Sequence, residues 1–369
     1  IFKFIMNKKS RLILVDGSAY IFRAYYGLPP MNRADGTPIN AVFGFTNMLV
    51  KLIEDYSDDK MIVIFDAARE NFRNKIYPEY KANRGEAPED LVPQFPLIRE
   101  CVNSFNIPQL ELEGYEADDL IATYTSLAQN EDIETIIVSS DKDLMQLVNE
   151  KVKMLDPMKN KTIEINDVEE KFGVKPNKVI YIQALTGDKV DNIPGAPGIG
   201  PKTASQLINE FGDIDGLFKN LNKIKQEKRR NILIKAEKDV RISLELVKLK
   251  NDVKLSTNIN DINTYSEIRD KKNNIFDFLK EQGFKSTFER LQSNSFINND
   301  SIKNKKDVQN TQPEYLILNS KKNFQKIMKE IEKEGICAID TETDSLDIEK
   351  AKLVGISLCY NEEKSYYIP

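Results

Sequence analysis

Acidic residues at the ends of apolar runs are the side chains of this sequence best suited to chemistry. Asp16 and Asp66 come directly after such runs, and Asp141 and Asp143 follow closely after a third. The runs are residues 12–15, 61–65 and 135–138. Carboxylate oxygens are the ligands that hard divalent cations such as Mg²⁺ prefer. The pattern therefore indicates a site for a divalent metal ion.

Two further acidic clusters strengthen this indication. Glu116 and Asp119, with Asp118 beside them, share one face of a predicted helix, and Asp188 and Asp191 are also three residues apart. So many carboxylates at close range would be forced to take up protons unless cations neutralised them. Two divalent ions about 4 Å apart would do so, and would stabilise the attacking and leaving oxygens of a phosphoryl transfer. Any one cluster alone would be an ordinary turn or helix start, but together they favour a metal-dependent phosphotransfer site.

The elements that would position these acids alternate along the chain. Buried strands at the three apolar runs are separated by predicted helices at residues 40–55 and 118–129, which predicts a parallel α/β sheet covered on both faces. Ligands of such sheets bind beyond the carboxyl ends of the strands, where the aspartates stand. We predict a tail at 1–9, a catalytic α/β domain at 10–174, an all-helical subdomain at 175–291, a linker at 292–312 and a truncated α/β segment at 313–369.

Composition excludes several classes of enzyme. The 369-residue chain contains no histidine, which rules out Ser-His-Asp and Cys-His catalysis and His-ligated zinc. The cysteines, Cys101, Cys337 and Cys359, are too scattered for a disulfide framework or a zinc site and fit a reducing cytoplasm. The net charge of −5 argues only weakly against nucleic acid, because residues 220–250 contain ten Lys or Arg against four Asp or Glu.

Six motifs in order resemble the 5′-nuclease domain of bacterial DNA polymerase I, a relative of the flap endonucleases. They are residues 14–18, 65–67, 80–84, 115–119, 139–144 and 187–195. The resemblance, which runs from about residue 11 to 250, implies a PIN-like parallel-sheet core with a helical arch. It also implies 5′–3′ exonuclease or flap endonuclease activity with two Mg²⁺ ions, for which Mn²⁺ can substitute. The implied metal cluster is Asp16, Asp66, Glu116, Asp118, Asp119, Asp141, Asp143, Asp188 and Asp191.

The implied arch carries the basic residues expected to act on the scissile phosphate. Arg73, Lys81 and Arg84 match the family's arch motifs, and Tyr80 in the same motif is expected to contact DNA. On a helix, Lys81 and Arg84 would point together, so their charges would offset the negative charge that develops in the transition state.

The implied mouth of the active site carries an aromatic residue beside an arginine. Phe22 would stack on a terminal base and Arg23 would hold phosphate. Packing of Phe22 in the protein core is an equally good interpretation of the same residue.

The implied all-helical subdomain contains a helix-hairpin-helix that grips duplex DNA. Gly198 and Gly200 would let backbone N–H groups approach phosphate, and Lys202 and Thr203 would add a charge and a hydroxyl. In the family this motif commonly holds a K⁺ ion. The basic residues between 228 and 241 would extend the grip.

The last segment resembles the start of a ribonuclease H-like 3′–5′ proofreading exonuclease, with Asp340 and Glu342 as its first acids. Later motifs are missing, so we expect no proofreading from this chain, although its parent would be a DNA-directed DNA polymerase. The expected partners are DNA flaps, nicks, gaps and RNA-primer 5′ ends, without membrane, for a monomer in the cytoplasm near the nucleoid. A non-catalytic DNA clamp and an RNA-cleaving nuclease are the alternative interpretations.

Overall fold

A computed structural model describes residues 11–67, 70–157, 159–269, 274–293, 314–345, 350–360 and 364–369. The chain divides into two compact units, residues 1–298 and 299–369, which we describe separately. The predicted tail at 1–9 and most of the predicted linker at 292–312 lie outside the described residues.

The first unit is built on a six-stranded sheet with the order β3-β2-β1-β4-β5-β6. The strands are β1 (Leu12–Asp16), β2 (Lys60–Ile64), β3 (Gln109–Leu110), β4 (Thr135–Val138), β5 (Val152–Asp156) and β6 (Lys161–Ile163). All neighbours are parallel except β5 and β6. Asp16 pairs with Ile64 and Val15 pairs with Val138. The acids that follow β2 and β4 therefore leave the sheet at the same edge as Asp16, as predicted.

Thirteen α-helices are described in the first unit. They are α1 (Gly17–Gly27), α2 (Asn40–Asp55), α3 (Phe72–Ile76), α4 (Gln94–Ser104), α5 (Ala117–Asn130), α6 (Ile165–Phe172), α7 (Val179–Thr186), α8 (Pro201–Phe211), α9 (Ile214–Lys219), α10 (Glu227–Val247), α11 (Tyr265–Ile268), α12 (Ile275–Gln282) and α13 (Lys285–Ser293). The predicted helices at 40–55 and 118–129 correspond to α2 and α5.

The sheet is covered on both faces because alternate residues of its strands point to opposite sides. Ile13 and Val15 of β1 share a core with α1, α2 and α4, whereas Leu12 and Leu14 share the other core with α5, α7, α8 and α10. The helices α12 and α13 join the first of these cores, in which Phe278 is buried. The end of the region predicted as a helical subdomain thus packs back on the α/β part of the chain.

The predicted helical arch is not a helix in this structure. After the five residues of α3, residues 77–93 form turns and irregular backbone until α4 begins. Pro78, Pro88 and Pro93 interrupt this stretch, and proline removes a backbone donor and restricts the residue before it. Lys81 lies in the left-handed region with φ 55°. The prediction that Lys81 and Arg84 share a helix face was therefore wrong.

In its described residues, the second unit is a four-stranded sheet with one helix. Its elements are β7 (Glu314–Ile317), α14 (Lys321–Glu334), β8 (Ala338–Thr343), β9 (Leu353–Cys359) and β10 (Lys364–Ile368), with the strand order β7-β10-β9-β8. Leu318, Ile327, Leu358 and Tyr366 form its small core. Within the described part of the whole chain, no helix has the length and apolarity needed to span a membrane.

Candidate active site

Asp16 and Asp66 stand at the ends of the adjacent strands β1 and β2 and are held by the starts of two helices. One oxygen of Asp16 accepts a hydrogen bond from the backbone N–H of Ala19 at 2.9 Å, and the other accepts from the Ser139 hydroxyl at 2.8 Å. Asp66 accepts from the backbone N–H of Ala117, the first residue of α5, at 2.8 Å. These contacts fix both carboxylates at the carboxyl edge of the sheet.

Asp118 and Asp141 complete a group of four acids. Burial is the main reason that the pKa of Asp118 lies well above its ordinary value, and the charges of its acidic neighbours raise it further. Those neighbours are Asp141, Asp16, Glu116 and Asp66. Burial likewise raises the pKa of Asp16 to about 7, with contributions from Asp66 and Asp141. The four carboxylates are therefore close enough to repel one another.

A second group of acids, Asp143, Asp188 and Asp191, adjoins the first through Asp141. Burial raises the pKa of Asp143 to about 7, and the charges of the neighbouring aspartates add to this. The side-chain amide of Gln183, on α7, donates a hydrogen bond to Asp143. The acids contributed by the helical region thus meet those at the end of β4.

Basic side chains already neutralise parts of this second group. Lys142 forms an ion pair with Asp188, and Arg84 forms one with Asp191. The charge and hydrogen bond of Lys142 outweigh the effect of burial, so the pKa of Asp188 lies below its ordinary value. Among the described residues, the first group has no such basic partner: Asp16, Asp66, Asp118 and Asp141 form no ion pair there.

Glu116 lies just before α5 and accepts three hydrogen bonds from other side chains. It borders the acidic rim, the name used here for Asp16, Asp66, Asp118, Asp141, Asp143, Asp188 and Asp191. The Lys81 ammonium donates to it at 2.6 Å, the Asn71 amide at 2.9 Å and the Tyr80 hydroxyl at 3.2 Å. Burial favours a raised pKa, but the charges of Lys81 and Arg73 outweigh it and lower the pKa of Glu116. Glu116 is therefore held as a carboxylate beside the acidic rim.

The structure assigns Arg73 and Asp119 a different role from the predicted one. Only 1% of Arg73 is exposed, and its guanidinium donates two hydrogen bonds to Asp119 at 2.7 and 2.8 Å. The carboxylate of Asp119 is completely buried by this contact. A guanidinium enclosed in this way cannot touch a phosphate, and a carboxylate that is paired so closely is not open to a metal ion. The predictions that Arg73 contacts phosphate and that Asp119 binds metal were therefore wrong. The two side chains form a buried ion pair.

Tyr80 also differs from its predicted role, whereas Phe22 is exposed, as contact with DNA would require. Tyr80 is 5% exposed and its hydroxyl contacts Glu116, so it supports that acid and offers no surface to DNA. Phe22 is 42% exposed, with its ring edge-on to Phe95, which argues against the interpretation of Phe22 as core packing. Arg23 donates to the Ser140 hydroxyl at 2.6 Å, one residue before Asp141.

The predicted helix-hairpin-helix corresponds to α7, the loop at 187–200 and α8. Gly198 has a φ of +80°, and a side chain at either Gly198 or Gly200 would meet open space. Neither glycine is needed for packing within the protein, so both leave the backbone accessible. Lys202 is exposed and Thr203 half-buried in the first turn of α8, next to these glycines.

Sequence reasoning missed several side chains that hold the acids in place. They are Ser18, Asn71, Ser139, Lys142 and Gln183. Lys142 stands between two of the predicted ligands and was open to identification from the motif. The others are polar residues that contact acids elsewhere in the chain, so no local pattern distinguishes them.

The chemistry of the donor set fits divalent cations. The first group consists of oxygen donors without a positive partner among the described residues, and burial together with the charges of neighbouring acids raises the pKa of Asp16 and Asp118. Such a group is stabilised when hard cations bind. Across the described ranges, no three acidic side chains already converge as metal ligands do. Binding of an ion therefore requires some of these side chains to rotate.

A close backbone approach at Gly187 places Asp188 and Asp191. A Cβ on Gly187 would lie 2.5 Å from the carbonyl oxygen of Ile193, and the φ of Gly187 is +65°. We expect Gly187→Ala to lower the free energy of unfolding by about 2–4 kcal/mol, because strain adds to the steric clash. Chemical denaturation measures this value.

Gly212 supplies the matched control for that substitution. Its φ is +91°, but a Cβ there would meet no atom within 4 Å. Gly212→Ala therefore has the unfavourable φ without the clash, and we expect it to cost about 1–2 kcal/mol. Equal losses in the two variants would show that the close approach at Gly187 does not constrain the loop.

Comparison with known proteins agrees with this geometry. Residues 11–173 match the family model of the 5′-3′ exonuclease N-terminal resolvase-like domain, and residues 174–270 match that of the 5′-3′ exonuclease C-terminal SAM fold. The zinc-bound structure of T5 5′-exonuclease is similar with a TM-score of 0.57 and 26% identity, over 65% of this chain and 90% of that one. The predicted PIN-like α/β core is thereby confirmed.

Two relatives extend the comparison. DNA polymerase I of Rhizobium leguminosarum is 52% identical over 69% of this chain, which spans only 26% of that protein. The 5′-3′ exonuclease of Aquifex aeolicus is 39% identical over 68% of this chain and 86% of its own length. The resemblance that six motifs indicated is confirmed. The chain belongs to the 5′–3′ exonuclease family and corresponds to the nuclease region of its DNA polymerase I relatives.

Proposed function

We propose that this chain is a Mg²⁺-dependent 5′ nuclease that cuts DNA at flaps, nicks and gaps and removes RNA primers from their 5′ ends. The observation that carries the proposal is the connected set of carboxylates at the sheet edge, bordered by basic side chains. Asp118 and Asp141 connect the acids of the sheet to one another, and Asp143 connects them to the helical region. Mn²⁺ is expected to substitute for Mg²⁺.

The two acid groups suggest how the metal ions would be held. Asp16, Asp66, Asp118 and Asp141 would hold one ion, and Asp143, Asp188 and Asp191 would hold the second, with Glu116 between the groups. Bound divalent ions lower the pKa of water and stabilise the negative charge that develops on phosphate oxygens.

The basic side chains of the chain contribute the remaining positive charge. Lys81 and Arg84 contact Glu116 and Asp191 from the segment between α3 and α4. We propose that both side chains turn to the scissile phosphate when cations neutralise the acids. There they would stabilise the transition state, where charge is greater than in the substrate.

Substrate binding is assigned to groups outside the acidic rim that are exposed or half-buried. Phe22 would stack on a terminal base and Arg23 would hold a phosphate. Gly198, Gly200 and the start of α8 would bind the backbone of the duplex with Lys202 and Thr203, assisted by K⁺. Such contacts position DNA without reading its sequence.

The whole protein is proposed to be a DNA polymerase I. Residues 10–174 would be its catalytic α/β domain, residues 175–291 its DNA-binding subdomain and residues 313–369 the start of a ribonuclease H-like exonuclease domain. Asp340 and Glu342, two residues apart on the exposed β8, support this last assignment. We propose that the protein acts as a monomer in the cytoplasm, at the nucleoid.

A 5′-labelled double-flap DNA tests the proposal. Wild type should release the flap near its junction in Mg²⁺ but not in EDTA, and Asp141→Ala should release none. Asp277→Ala, which removes an exposed acid from α12, serves as the control and should cut normally. Tight duplex binding without cutting in Mg²⁺ or Mn²⁺ would instead indicate a DNA clamp, and cutting of RNA alone would indicate a ribonuclease.

A further inference from the structure

Arg73 connects parts of the first unit that are far apart in sequence. Besides its two bonds to Asp119, its guanidinium donates to the backbone oxygens of Leu246 at 2.7 Å and Lys248 at 3.3 Å. Asp119 in turn accepts from the backbone N–H of Lys250 at 2.9 Å. The pair therefore joins α3 and α5, from the region of the first family model, to the end of α10, in the region of the second.

The same pair contacts Glu116 and the start of α5, next to the acidic rim. A guanidinium nitrogen of Arg73 lies 3.6 Å from the Glu116 carboxylate. Asp119 also accepts a hydrogen bond from the backbone N–H of Glu116 at 3.2 Å, within a capping box that fixes the start of α5. Asp118 lies between these two residues. Both the side chain of Glu116 and the helix turn that carries Asp118 thus depend on this pair.

We propose that Arg73 and Asp119 are positioning residues of the nuclease site. They set Glu116 and Asp118 relative to the end of α10, so that the acidic rim and the helical region adopt one fixed arrangement. The proposal rests on the proposed nuclease function. It goes beyond that function because neither side chain touches substrate or metal.

The arrangement requires arginine specifically. Its planar guanidinium donates to a carboxylate and two carbonyl groups at once, whereas a lysine ammonium is a single point of charge on a flexible chain. Lysine at this position would keep the charge beside Asp119 but would lose part of the hydrogen bonding. The backbone oxygens of Leu246 and Lys248 would lose a partner, and the start of α5 would no longer be tied to α10 in one geometry.

The Arg11–Asp59 pair offers a matched control within the same unit. Arg11 Nε and one terminal nitrogen donate to Asp59, which also accepts from the backbone N–H of Arg11, so this pair is likewise a multiply bonded one. It joins the start of β1 to the residue before β2, at the opposite end of these strands from Asp16. Its replacement therefore perturbs a similar ion pair without touching the acidic rim.

The test compares Arg73→Lys and Asp119→Asn with Arg11→Lys, at a temperature where all three remain folded by circular dichroism. We expect Arg73→Lys and Asp119→Asn to lower single-turnover cleavage of the double flap at least tenfold. They should also weaken Mn²⁺ binding severalfold in calorimetry without DNA. The Kd for the same DNA in EDTA should stay within about twofold, because neither residue reaches DNA. Arg11→Lys should lose stability but keep the cleavage rate and Mn²⁺ affinity of wild type.

The possible results separate this proposal from its alternatives. If Arg73→Lys and Asp119→Asn both cleave DNA and bind Mn²⁺ as active wild-type protein does, the positioning role is overturned and the nuclease function is left intact. A large rise in the DNA Kd at constant single-turnover rate would show that Arg73 contacts the substrate. Equal losses of cleavage in Arg11→Lys would mean that general destabilisation explains the effect. Inactive wild-type protein would instead refute the proposed function.

Discussion

Asp118→Asn should abolish metal-dependent cleavage and at the same time make the metal-free protein more stable. The side chain of Asp118 lies among four other acids, and burial together with their charges keeps its pKa well above the ordinary value. Removal of its charge relieves this repulsion but takes a ligand from the proposed metal site. We expect a loss of about a thousandfold in cleavage, equivalent to about 4 kcal/mol of transition-state stabilisation.

The gain in stability should depend on pH in a defined direction. A carboxyl group whose pKa is higher in the folded than in the unfolded protein destabilises the fold as pH rises through the interval between the two values. The asparagine variant lacks this penalty. Its melting temperature in EDTA should therefore exceed that of wild type at pH 7.5, by about 2–4 °C for each kcal/mol of relief. The difference should shrink as pH falls to about 3, below both pKa values, where Asp118 is mostly protonated in both states.

Asp167→Asn is a control for which the melting temperature should change in the opposite direction. Asp167 caps the start of α6, and its ion pair with Lys161 keeps its pKa below the ordinary value. Asp167→Asn should lower the melting temperature slightly at neutral pH and leave cleavage unchanged. Mn²⁺ should raise the melting temperature of wild type and of Asp167→Asn, but much less that of Asp118→Asn. If Asp118→Asn is less stable than wild type in EDTA, repulsion among the acids of the rim does not destabilise the metal-free protein.

The sequence predicted the sheet and its acidic edge because both depend on local patterns. The continuous apolar run at 12–15 is typical of a buried strand. Asp16 directly after it marks the carboxyl end of that strand. The helix at 40–55 was predicted to the residue because its apolar side chains recur at helical spacing. Sheet order was not needed for the metal prediction, since all the parallel strands leave the sheet at one edge.

The roles of Arg73, Asp119 and Tyr80 were beyond the reach of the sequence because burial decided them. Arg73 is enclosed by the end of α10, whose backbone lies more than 170 residues away in sequence. Nothing in the residues near Arg73 indicates that its guanidinium faces inwards. Similarly, Asp118 and Asp119 are adjacent acids at the start of one helix, and only the direction of each side chain separates a rim acid from a buried partner of arginine.

The segment at 77–93 shows a different reason for failure. Resemblance predicted a helix there, but prolines and Lys81 in the left-handed region leave a chain of turns. Left-handed backbone costs a residue with a side chain roughly 1–2 kcal/mol, and such strain is often kept at functional sites. Glycine would adopt the same backbone freely. The presence of lysine at this position therefore suggests that its ammonium group is needed there.

Lys81→Gly tests that interpretation. The substitution relieves the backbone strain and removes the ion pair with Glu116, so the two effects on stability should nearly cancel. Glu116 keeps the hydrogen bonds from Asn71 and Tyr80 and its neighbour Arg73. We expect the melting temperature to change little, whereas single-turnover cleavage of the double flap falls about a hundredfold or more, the usual effect of removing one group that stabilises the transition state.

Asn106→Gly is the control for the backbone part of this effect. Asn106 has a similar φ of 58°, lies before β3 and has a buried side-chain nitrogen without a hydrogen-bond partner in the structure. Glycine at this position should raise stability slightly and leave cleavage as it is. If Lys81→Gly cuts as fast as wild type, the ammonium group does not act on the phosphate, and the left-handed turn itself must be what the site requires. If it instead loses stability together with activity, Lys81 serves mainly to neutralise Glu116, and its strained backbone is the consequence of reaching that acid.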